Sequence, residues 1–228
     1  MSEVRQLRFA RPAGAAELLL VRHGESAAAV EGQPFPLVDG QGDPPLHEEG
    51  QRQAQLVADR LENENVTAIY VSTLQRTAQT AAPLAARLGI TPVVEADIRE
   101  VHLGEWEGGI FRKHVLEGHP LAVKMRTEQR WDVIPGAEPA DAFRQRLRRG
   151  ITTIASAHPD ETVAVFSHGA AMGEIIAIAT GGRAFAFGGS DNASISQLIV
   201  LGDQWMLRRF NDTAHLQLAL STAPQPLT

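Results

Sequence analysis

Four short segments of the chain hold residue types that could carry out chemistry. They are Arg22-His23-Gly24, Ser72-Thr73-Leu74-Gln75-Arg76-Thr77, Arg99-Glu100-Val101 and Ser167-His168-Gly169. An imidazole can act as a nucleophile or a base, a guanidinium binds anions, and a carboxyl group can exchange a proton with a leaving group. Taken singly, each segment has an ordinary structural alternative, such as a capping histidine or a solvated surface charge.

The pattern of apolar residues places these segments where predicted strands end. Apolar runs predict strands at 17–21, 67–71, 91–94 and 162–166, and helical spacing predicts helices at 48–61, 73–88, 140–157 and 169–180. The turn Gly202-Asp203 predicts a late hairpin that joins 194–201 to 204–210. Alternating strands and helices imply a mostly parallel sheet that binds ligands beyond the carboxyl ends of its strands, where His23 and His168 lie.

We therefore expect an α/β fold, namely a three-layer α/β/α sandwich with a mostly parallel central sheet and a small helical cap insertion. The cap is expected at 105–138, because the alternation of strands and helices dissolves there. Residues 1–16 are predicted to form an N-terminal leader, 17–218 the domain, and 219–228, which contain prolines, a loose tail.

Composition restricts the classes of function. With 228 residues, a net charge of −6 and a pI near 5.7, the chain lacks the basic surface that nucleic-acid binding requires. The absence of cysteine excludes disulfides and thiolate chemistry. No secretory signal is apparent and the apolar runs are too short to span a bilayer, so we expect a cytoplasmic protein with no membrane partner. The sheet edge and the late hairpin could support a homodimer.

An ordered series of motifs runs along nearly the whole chain. It comprises Leu20-Val21-Arg22-His23-Gly24-Glu25-Ser26, Asp43-Pro44-Pro45-Leu46 with Glu49-Gly50-Gln51-Arg52-Gln53-Ala54, Ser72-Thr73-Leu74-Gln75-Arg76-Thr77-Ala78-Gln79-Thr80-Ala81, Glu100 with Gly104-Glu105-Trp106-Glu107-Gly108, and Phe166-Ser167-His168-Gly169. The series resembles the histidine phosphatase superfamily, specifically its phosphoglycerate mutase-like branch 1. Several matches in the same order are hard to obtain by chance.

The resemblance implies a role for each motif. It assigns His23 as a nucleophile that is transiently phosphorylated, Arg22, Arg76 and His168 as ligands of the phosphoryl oxygens, and Glu100 as proton donor to the leaving oxygen. Ser26 is a further candidate phosphate ligand, although a helix N-cap is an equal alternative, and His102 is a candidate contact in the substrate pocket. Neither a metal nor another cofactor is implied.

Physical chemistry agrees with these roles. An imidazole can attack phosphorus if its other nitrogen is held as a donor, and fixed cations stabilise the charge on the transferring phosphoryl group. A carboxyl group that protonates the leaving oxygen raises the reaction rate by roughly 10²–10⁴-fold, and the resulting carboxylate can later activate water.

Several residues keep alternative explanations. Arg76 could pair at the surface with Glu95 or Asp97, and the acid could be one of the carboxylates near Glu100, namely Glu95, Asp97, Glu105 or Glu107. A metal site built from His47, His102, His114 and His119 is disfavoured, because no pair has the helical His-x-x-x-His spacing. Three aromatic residues, Trp106, Phe111 and Trp131, could line a specificity pocket or simply fill the core.

Departures from the family pattern help to choose the reaction. Ala29 stands where the mutases carry an asparagine, and Val101-His102-Leu103 replaces their arginine- and tyrosine-containing sequence after the acid. These departures favour metal-independent hydrolysis of a small phosphorylated metabolite. Two alternatives remain, namely phosphoglycerate mutase-type phosphoryl transfer and a phosphate-binding module without turnover.

Overall fold

A six-stranded sheet forms the centre of the computed structural model, which describes residues 6–216. The strands are β1 (Ala16–Arg22), β2 (Leu37–Val38), β3 (Gln41–Gly42), β4 (Val66–Val71), β5 (Val93–Val94), β6 (Thr162–Ser167), β7 (Ile195–Leu201) and β8 (Gln204–Asp212). The sheet has the order β5-β4-β6-β1-β7-β8, and β2 pairs with β3 in a separate small hairpin. The four strands from β5 to β1 run parallel, whereas β7 and β8 add an antiparallel hairpin. This mostly parallel sheet confirms the expected fold class.

Six α-helices accompany the sheet in the described part of the chain. They are α1 (Glu48–Leu61), α2 (Gln75–Leu88), α3 (Ile110–Leu116), α4 (Pro120–Glu128), α5 (Ala140–Ala157) and α6 (Gly169–Thr180). Gly89 ends α2 with φ of 65°, in the left-handed region that favours glycine, as the sequence indicated. Within residues 6–216, every helix is too short or too polar to cross a membrane.

Helices cover both faces of the sheet because successive strand residues point to opposite sides. Leu18 and Leu20 of β1 pack with α5 and α6, whereas Leu19 and Val21 pack with α1 and α2. All four side chains are almost wholly buried. The result is the three-layer sandwich that a near-continuous apolar strand predicts.

The helices α3 and α4 occupy the region where the cap was expected. Trp106, Phe111 and Trp131 are buried there, and the rings of Phe111 and Trp131 lie 5.9 Å apart between centroids. These aromatic side chains belong to the same apolar core as α5 and α6. The cap region is therefore joined to the sandwich by continuous packing.

A close backbone contact joins the end of β1 to the start of α1. A Cβ atom added to Gly24 would lie 2.6 Å from the Gly50 carbonyl oxygen, and one added to Gly50 would lie 2.0 Å from that of Glu25. The N–H of His47 also donates to the Glu25 carbonyl at 2.9 Å. Only glycine fits at both positions, so the turn after β1 is seated directly on the helix.

The structure describes part of the expected N-terminal leader and none of the expected tail. The Arg11 guanidinium donates to the Glu161 carbonyl at 2.8 Å, and the Gly14 N–H donates to the Asp160 carboxylate at 2.7 Å. The described residues of the leader are thus fastened to the turn before β6. Residues 1–5 of the leader and the predicted tail at 219–228 lie outside the described residues.

Candidate active site

The carboxyl ends of β1 and β6 lie side by side in the middle of the sheet. Arg22 pairs with Ser167 in parallel register, and the N–H of His23 donates to the Ser167 carbonyl at 3.0 Å. A histidine follows each strand, and the rings of His23 and His168 meet in a T-shaped arrangement with centroids 5.2 Å apart. The sheet thus brings the two strand-end histidines into contact.

A backbone carbonyl determines which nitrogen of His23 carries the proton. The Nδ1 atom lies 2.7 Å from the Gly24 carbonyl oxygen, which can only accept. Burial lowers the pKa of His23 well below its usual 6.5, and the charges of Arg76 and Arg22 lower it further. The ring is therefore neutral at pH 7 with the proton on Nδ1, which leaves the Nε2 lone pair available to attack.

Low histidine pKa values also predict a loss of stability in mild acid. The pKa of His168, like that of His23, is lowered well below 6.5, chiefly by burial. Below pH 6.5 the unfolded chain takes up protons at both residues, whereas the folded protein does not. We expect the free energy of unfolding to fall by up to about 1.4 kcal/mol per pH unit for each histidine until the folded-state pKa is reached. Urea denaturation at about pH 7.5 and about pH 5.5 measures this loss.

A glutamine at position 23 provides the control for this pH dependence. Glutamine does not titrate, so His23→Gln should lose less stability than the wild type between the same two pH values. If both proteins lose the same free energy of unfolding, groups other than His23 cause the acid sensitivity.

Two buried arginines approach the histidines from different elements. Arg22 ends β1, is 1% exposed and donates through Nη1 to the Ser190 carbonyl. Arg76 lies in the first turn of α2 and donates to the Gly42 carbonyl at 3.0 Å, with the Asp43 carboxylate 3.9 Å away. Burial lowers the pKa of each arginine to about 10, so both stay charged at neutral pH. Arg76 is therefore a buried residue rather than a surface partner of Glu95 or Asp97.

Glu100 faces the start of α6. Its carboxylate accepts the N–H groups of Val101 at 2.9 Å, Ala171 at 3.0 Å and Ala170 at 3.1 Å. The last two are among the helix N–H groups that have no partner within the helix. Glu100 is 6% exposed. Of the carboxylates considered from the sequence, Glu100 and Glu107 line the cavity described below.

An ion pair holds the backbone that carries Glu100. Arg146 of α5 donates to the carbonyl oxygens of Asp97, Arg99 and Glu100 at 2.7–2.9 Å, and it also forms two hydrogen bonds with the Glu138 carboxylate. The Glu100 carbonyl accepts a further bond from Gln41 at 2.8 Å. The segment before the cap is therefore fixed from both sides.

A cavity opens above these residues. Its wall includes His23, Arg76 and Glu100, together with Glu107 and Arg112, and aromatic side chains of the cap complete it, namely Trp106 and Phe111. Both Glu107 oxygens accept backbone N–H groups, from Leu103 and from Gly42 at 2.7 Å each. Arg22 and His168 are almost wholly buried beside His23, and the ring of His168 meets that of His23. All five predicted catalytic residues lie within electrostatic reach of one another's neighbours, since Glu100 acts on Arg22 and Arg76, and both arginines act on His23 and His168.

Arg112 is a site residue that sequence reasoning missed. It lies in α3 and turns back to donate to the Ala27 carbonyl and the Ser26 hydroxyl, both at 2.7 Å. Its guanidinium also stacks on the Phe35 ring, 5.1 Å from the centroid. In residues 6–216, no carboxylate lies within ion-pair distance of it. The adjacent basic residues Arg112 and Lys113 indicate that a cation could reach the site, but the local sequence does not show which of the two side chains turns inward.

Ser26 and His102 have different surroundings from those expected. Ser26 is not a helix N-cap, since the nearest helix, α1, begins after His47; its hydroxyl instead accepts the bond from Arg112. His102 does not line the cavity, and its Nδ1 accepts the Gly104 N–H at 3.0 Å. His47 and His119 likewise cap α1 and α4 through Nδ1. These histidines therefore have structural roles.

Comparison with known proteins gives a family and several relatives. Residues 18–213 match the family model described as "Histidine phosphatase superfamily (branch 1)". The chain is 32% identical to phosphoglycerate mutase-like protein 4 of Arabidopsis thaliana, over 89% of this chain and 87% of the relative. It is 31% identical to phosphoserine phosphatase 1 of Hydrogenobacter thermophilus, over 88% and 94%.

A solved structure shares the fold. A mycobacterial glucosyl-3-phosphoglycerate phosphatase complexed with vanadate, VO3, superimposes with a TM-score of 0.73 at 28% identity, covering 90% of this chain and all of the other. Relatives therefore include both phosphatases and mutase-like proteins.

Proposed function

Because the chain belongs to branch 1 of the histidine phosphatase superfamily, we propose that it hydrolyses small phosphomonoesters through a phosphohistidine on His23. The observation that carries this proposal is the Gly24 carbonyl, which holds the proton on Nδ1 of a neutral ring and leaves Nε2 to attack. An imidazole arranged in this way beside two buried arginines is suited to a phosphate dianion. A module that only binds phosphate has no need of such a nucleophile.

The first step transfers the phosphoryl group to the protein. The Nε2 lone pair of His23 forms a bond to phosphorus while the bond from phosphorus to the ester oxygen breaks. The departing oxygen takes a proton from the Glu100 carboxyl group and leaves as an alcohol. Arg22, Arg76 and His168 stabilise the charge on the three equatorial oxygens.

The second step releases phosphate. The Glu100 carboxylate, now unprotonated, takes a proton from water as the water oxygen attacks phosphorus. The bond from phosphorus to Nε2 breaks and returns the electron pair to His23. The products are one alcohol and one inorganic phosphate, and Glu100 is again protonated.

Arg112 supports a narrower proposal about the substrate. Arg112 lines the cavity, and within residues 6–216 its guanidinium donates to two neutral acceptors, the Ala27 carbonyl and the Ser26 hydroxyl. The Glu25 carboxylate that acts on its charge lies beyond ion-pair distance. A third cation beside Arg22 and Arg76 suits a substrate that carries a second anionic group near its phosphate. Phosphoserine has such a carboxylate and is named for the bacterial relative. We therefore propose a phosphorylated carboxylic acid as the substrate class.

Replacement of Arg112 by methionine tests this substrate class. We expect kcat/KM for phosphoserine to fall by about 10–100-fold, because the variant loses a hydrogen bond to a charged group. Phosphoethanolamine, which lacks the carboxylate, should be affected much less. The matched control is Lys113→Met, since Lys113 pairs with Glu31 at the surface. Equal losses with both substrates would contradict a carboxylate contact at Arg112.

A direct assay separates hydrolysis from mutase activity. The purified protein should release inorganic phosphate from phosphoserine, and orthovanadate should inhibit it competitively as a mimic of the five-coordinate transition state. Conversion of 3-phosphoglycerate to its 2-phospho isomer without phosphate release would instead identify a mutase.

A further inference from the structure

Ser72 contacts His168, the second of the two strand-end histidines. It directly follows β4, is 2% exposed, and places its hydroxyl oxygen 2.8 Å from Nε2 of His168. This distance is typical of an O–H···N or N–H···O hydrogen bond. One of the two groups must donate, and the choice determines the chemistry of the His168 ring.

The neighbours of Ser72 restrict where its proton can go. The hydroxyl oxygen already accepts the Leu74 N–H at 3.1 Å. Thr77 lies 3.2 Å away, accepts the Ser72 N–H, and directs its own proton to the Leu74 carbonyl at 2.8 Å. Thr77 is thus no donor to Ser72. The Ser72 proton goes either to Thr77 at 3.2 Å or to His168 at 2.8 Å.

His168 is a neutral ring, so it has one protonated nitrogen. Burial and the charge of Arg76 lower its pKa well below 6.5. With Nε2 bound to Ser72, the nitrogen left for a phosphoryl oxygen is Nδ1, which is buried and has no hydrogen-bond partner in the described part of the chain. A phosphoryl oxygen needs a donor there. A bare Nδ1 lone pair would repel it.

We propose that the Ser72 hydroxyl donates to Nε2 of His168 and thereby fixes the proton on Nδ1, which becomes the donor to a phosphoryl oxygen. Ser72 is therefore a positioning residue that acts through His168. Position 23 has its proton fixed by a carbonyl, whereas position 168 has its proton fixed by a hydroxyl. The Gly24 carbonyl accepts from Nδ1 of His23, and the Ser72 hydroxyl donates to Nε2 of His168, so both rings carry their proton on Nδ1. The inference rests on the proposed function, in which His168 binds the phosphoryl group.

Nuclear magnetic resonance of isotope-labelled imidazole nitrogens tests the proposal on the free protein. In the wild type at neutral pH, Nδ1 of His168 should carry the proton and Nε2 should show the shift of an accepting nitrogen. Ser72→Ala should move the ring toward the Nε2-protonated form. A wild-type ring that already carries its proton on Nε2 would overturn the proposal, whatever the activity of the variant.

Kinetic measurements on the same variants connect the tautomer to phosphate binding. Ser72→Ala should raise the inhibition constant of orthovanadate and lower kcat/KM by about tenfold or more, because one donor to a charged group is lost. Ser72→Thr keeps a hydroxyl and should restore both the tautomer and vanadate binding. Thr73→Ala is the matched control, since the neighbouring Thr73 hydroxyl has no partner in residues 6–216.

The outcomes separate this inference from the proposed function. If the protein turns over phosphomonoesters but Ser72→Ala changes neither the tautomer nor vanadate binding, the role of Ser72 is wrong and the phosphatase proposal stands. If His168 has the expected tautomer but no phosphomonoester is turned over, the proposed function fails instead. Circular dichroism and urea denaturation identify a variant that does not fold. A wild-type ring protonated on Nε2 would overturn the proposal without any variant.

Discussion

Replacing His23 by alanine should abolish phosphate release, with a loss in kcat of about 10⁴-fold or more. Among the described residues, His23 is the histidine of the cavity wall, and the neighbouring His168 is bound to Ser72 through Nε2, so no second imidazole lone pair is available to attack. The cations around an alanine would still bind phosphate. The variant should therefore bind orthovanadate or phosphate while turnover is lost.

The covalent intermediate gives a second measurement. The wild-type protein is mixed with phosphoserine labelled in its phosphoryl group and quenched rapidly without acid. The protein should carry a label that is lost in acid and retained in base, as expected for the phosphorus–nitrogen bond of phosphohistidine. The labelled peptide should contain His23, and the alanine variant should take up no label.

A matched control excludes a general effect of losing a histidine. His47→Asn removes an imidazole but keeps a side chain that can cap α1. It should retain wild-type turnover. Loss of a nucleophile lowers turnover by far more than about tenfold. If the turnover of His23→Ala stayed within about tenfold of this control, the phosphohistidine mechanism would be wrong.

Replacing Glu100 by glutamine should have an effect that depends on the leaving group. For an alkyl phosphate such as phosphoserine, whose alkoxide is a poor leaving group, kcat/KM should fall by about 10²–10⁴-fold. For p-nitrophenyl phosphate, whose phenolate leaves without a proton, the loss should be far smaller. The quantity kcat/KM reports the first transfer to His23, in which the leaving group departs.

The ratio of the two substrates distinguishes acid catalysis from damage to the fold. Glutamine presents an amide NH₂ where the carboxylate accepted N–H groups from α6, so some loss of stability is expected. A smaller folded fraction lowers kcat/KM for both substrates equally and leaves their ratio unchanged. Glu107→Gln is the control at a neighbouring carboxylate whose oxygens hold backbone N–H groups. An unchanged ratio in the Glu100 variant would assign the acid elsewhere.

Most of the sandwich could be predicted from the sequence because its elements carry strong local signals. The helix α1 has the predicted bounds, 48–61, since its apolar positions recur at helical spacing after a loop rich in glycine and proline. The buried strands β1 and β6 are short apolar runs that end at the histidines. By contrast, β2 and β3 are two residues each, too short for a periodic signal.

The sequence predicts the site residues that lie at the ends of those strands. It does not predict the residues whose position depends on contacts between distant parts of the chain. His23 and His168 follow from strand ends, whereas Arg112 enters the cavity only because α3 faces the loop after Gly24. His102 shows the same limit, because its contact with Gly104 depends on a turn that the sequence does not reveal. The hydrogen bonds from Arg146 to the carbonyl oxygens of the segment 97–100 likewise join parts of the chain whose relative position comes from packing.

The parallel register of β1 and β6 has a consequence for how the protein becomes active during folding. Arg22 and Ser167 are neighbours in the sheet although most of the chain separates them in sequence. Contacts of this kind close large loops and form slowly compared with local turns and helices. Neither half of the chain holds both histidines, so an intermediate in which β1 and β6 have not yet paired has no phosphate site. Recovery of catalysis during refolding thus reports the completed sheet rather than the formation of helices.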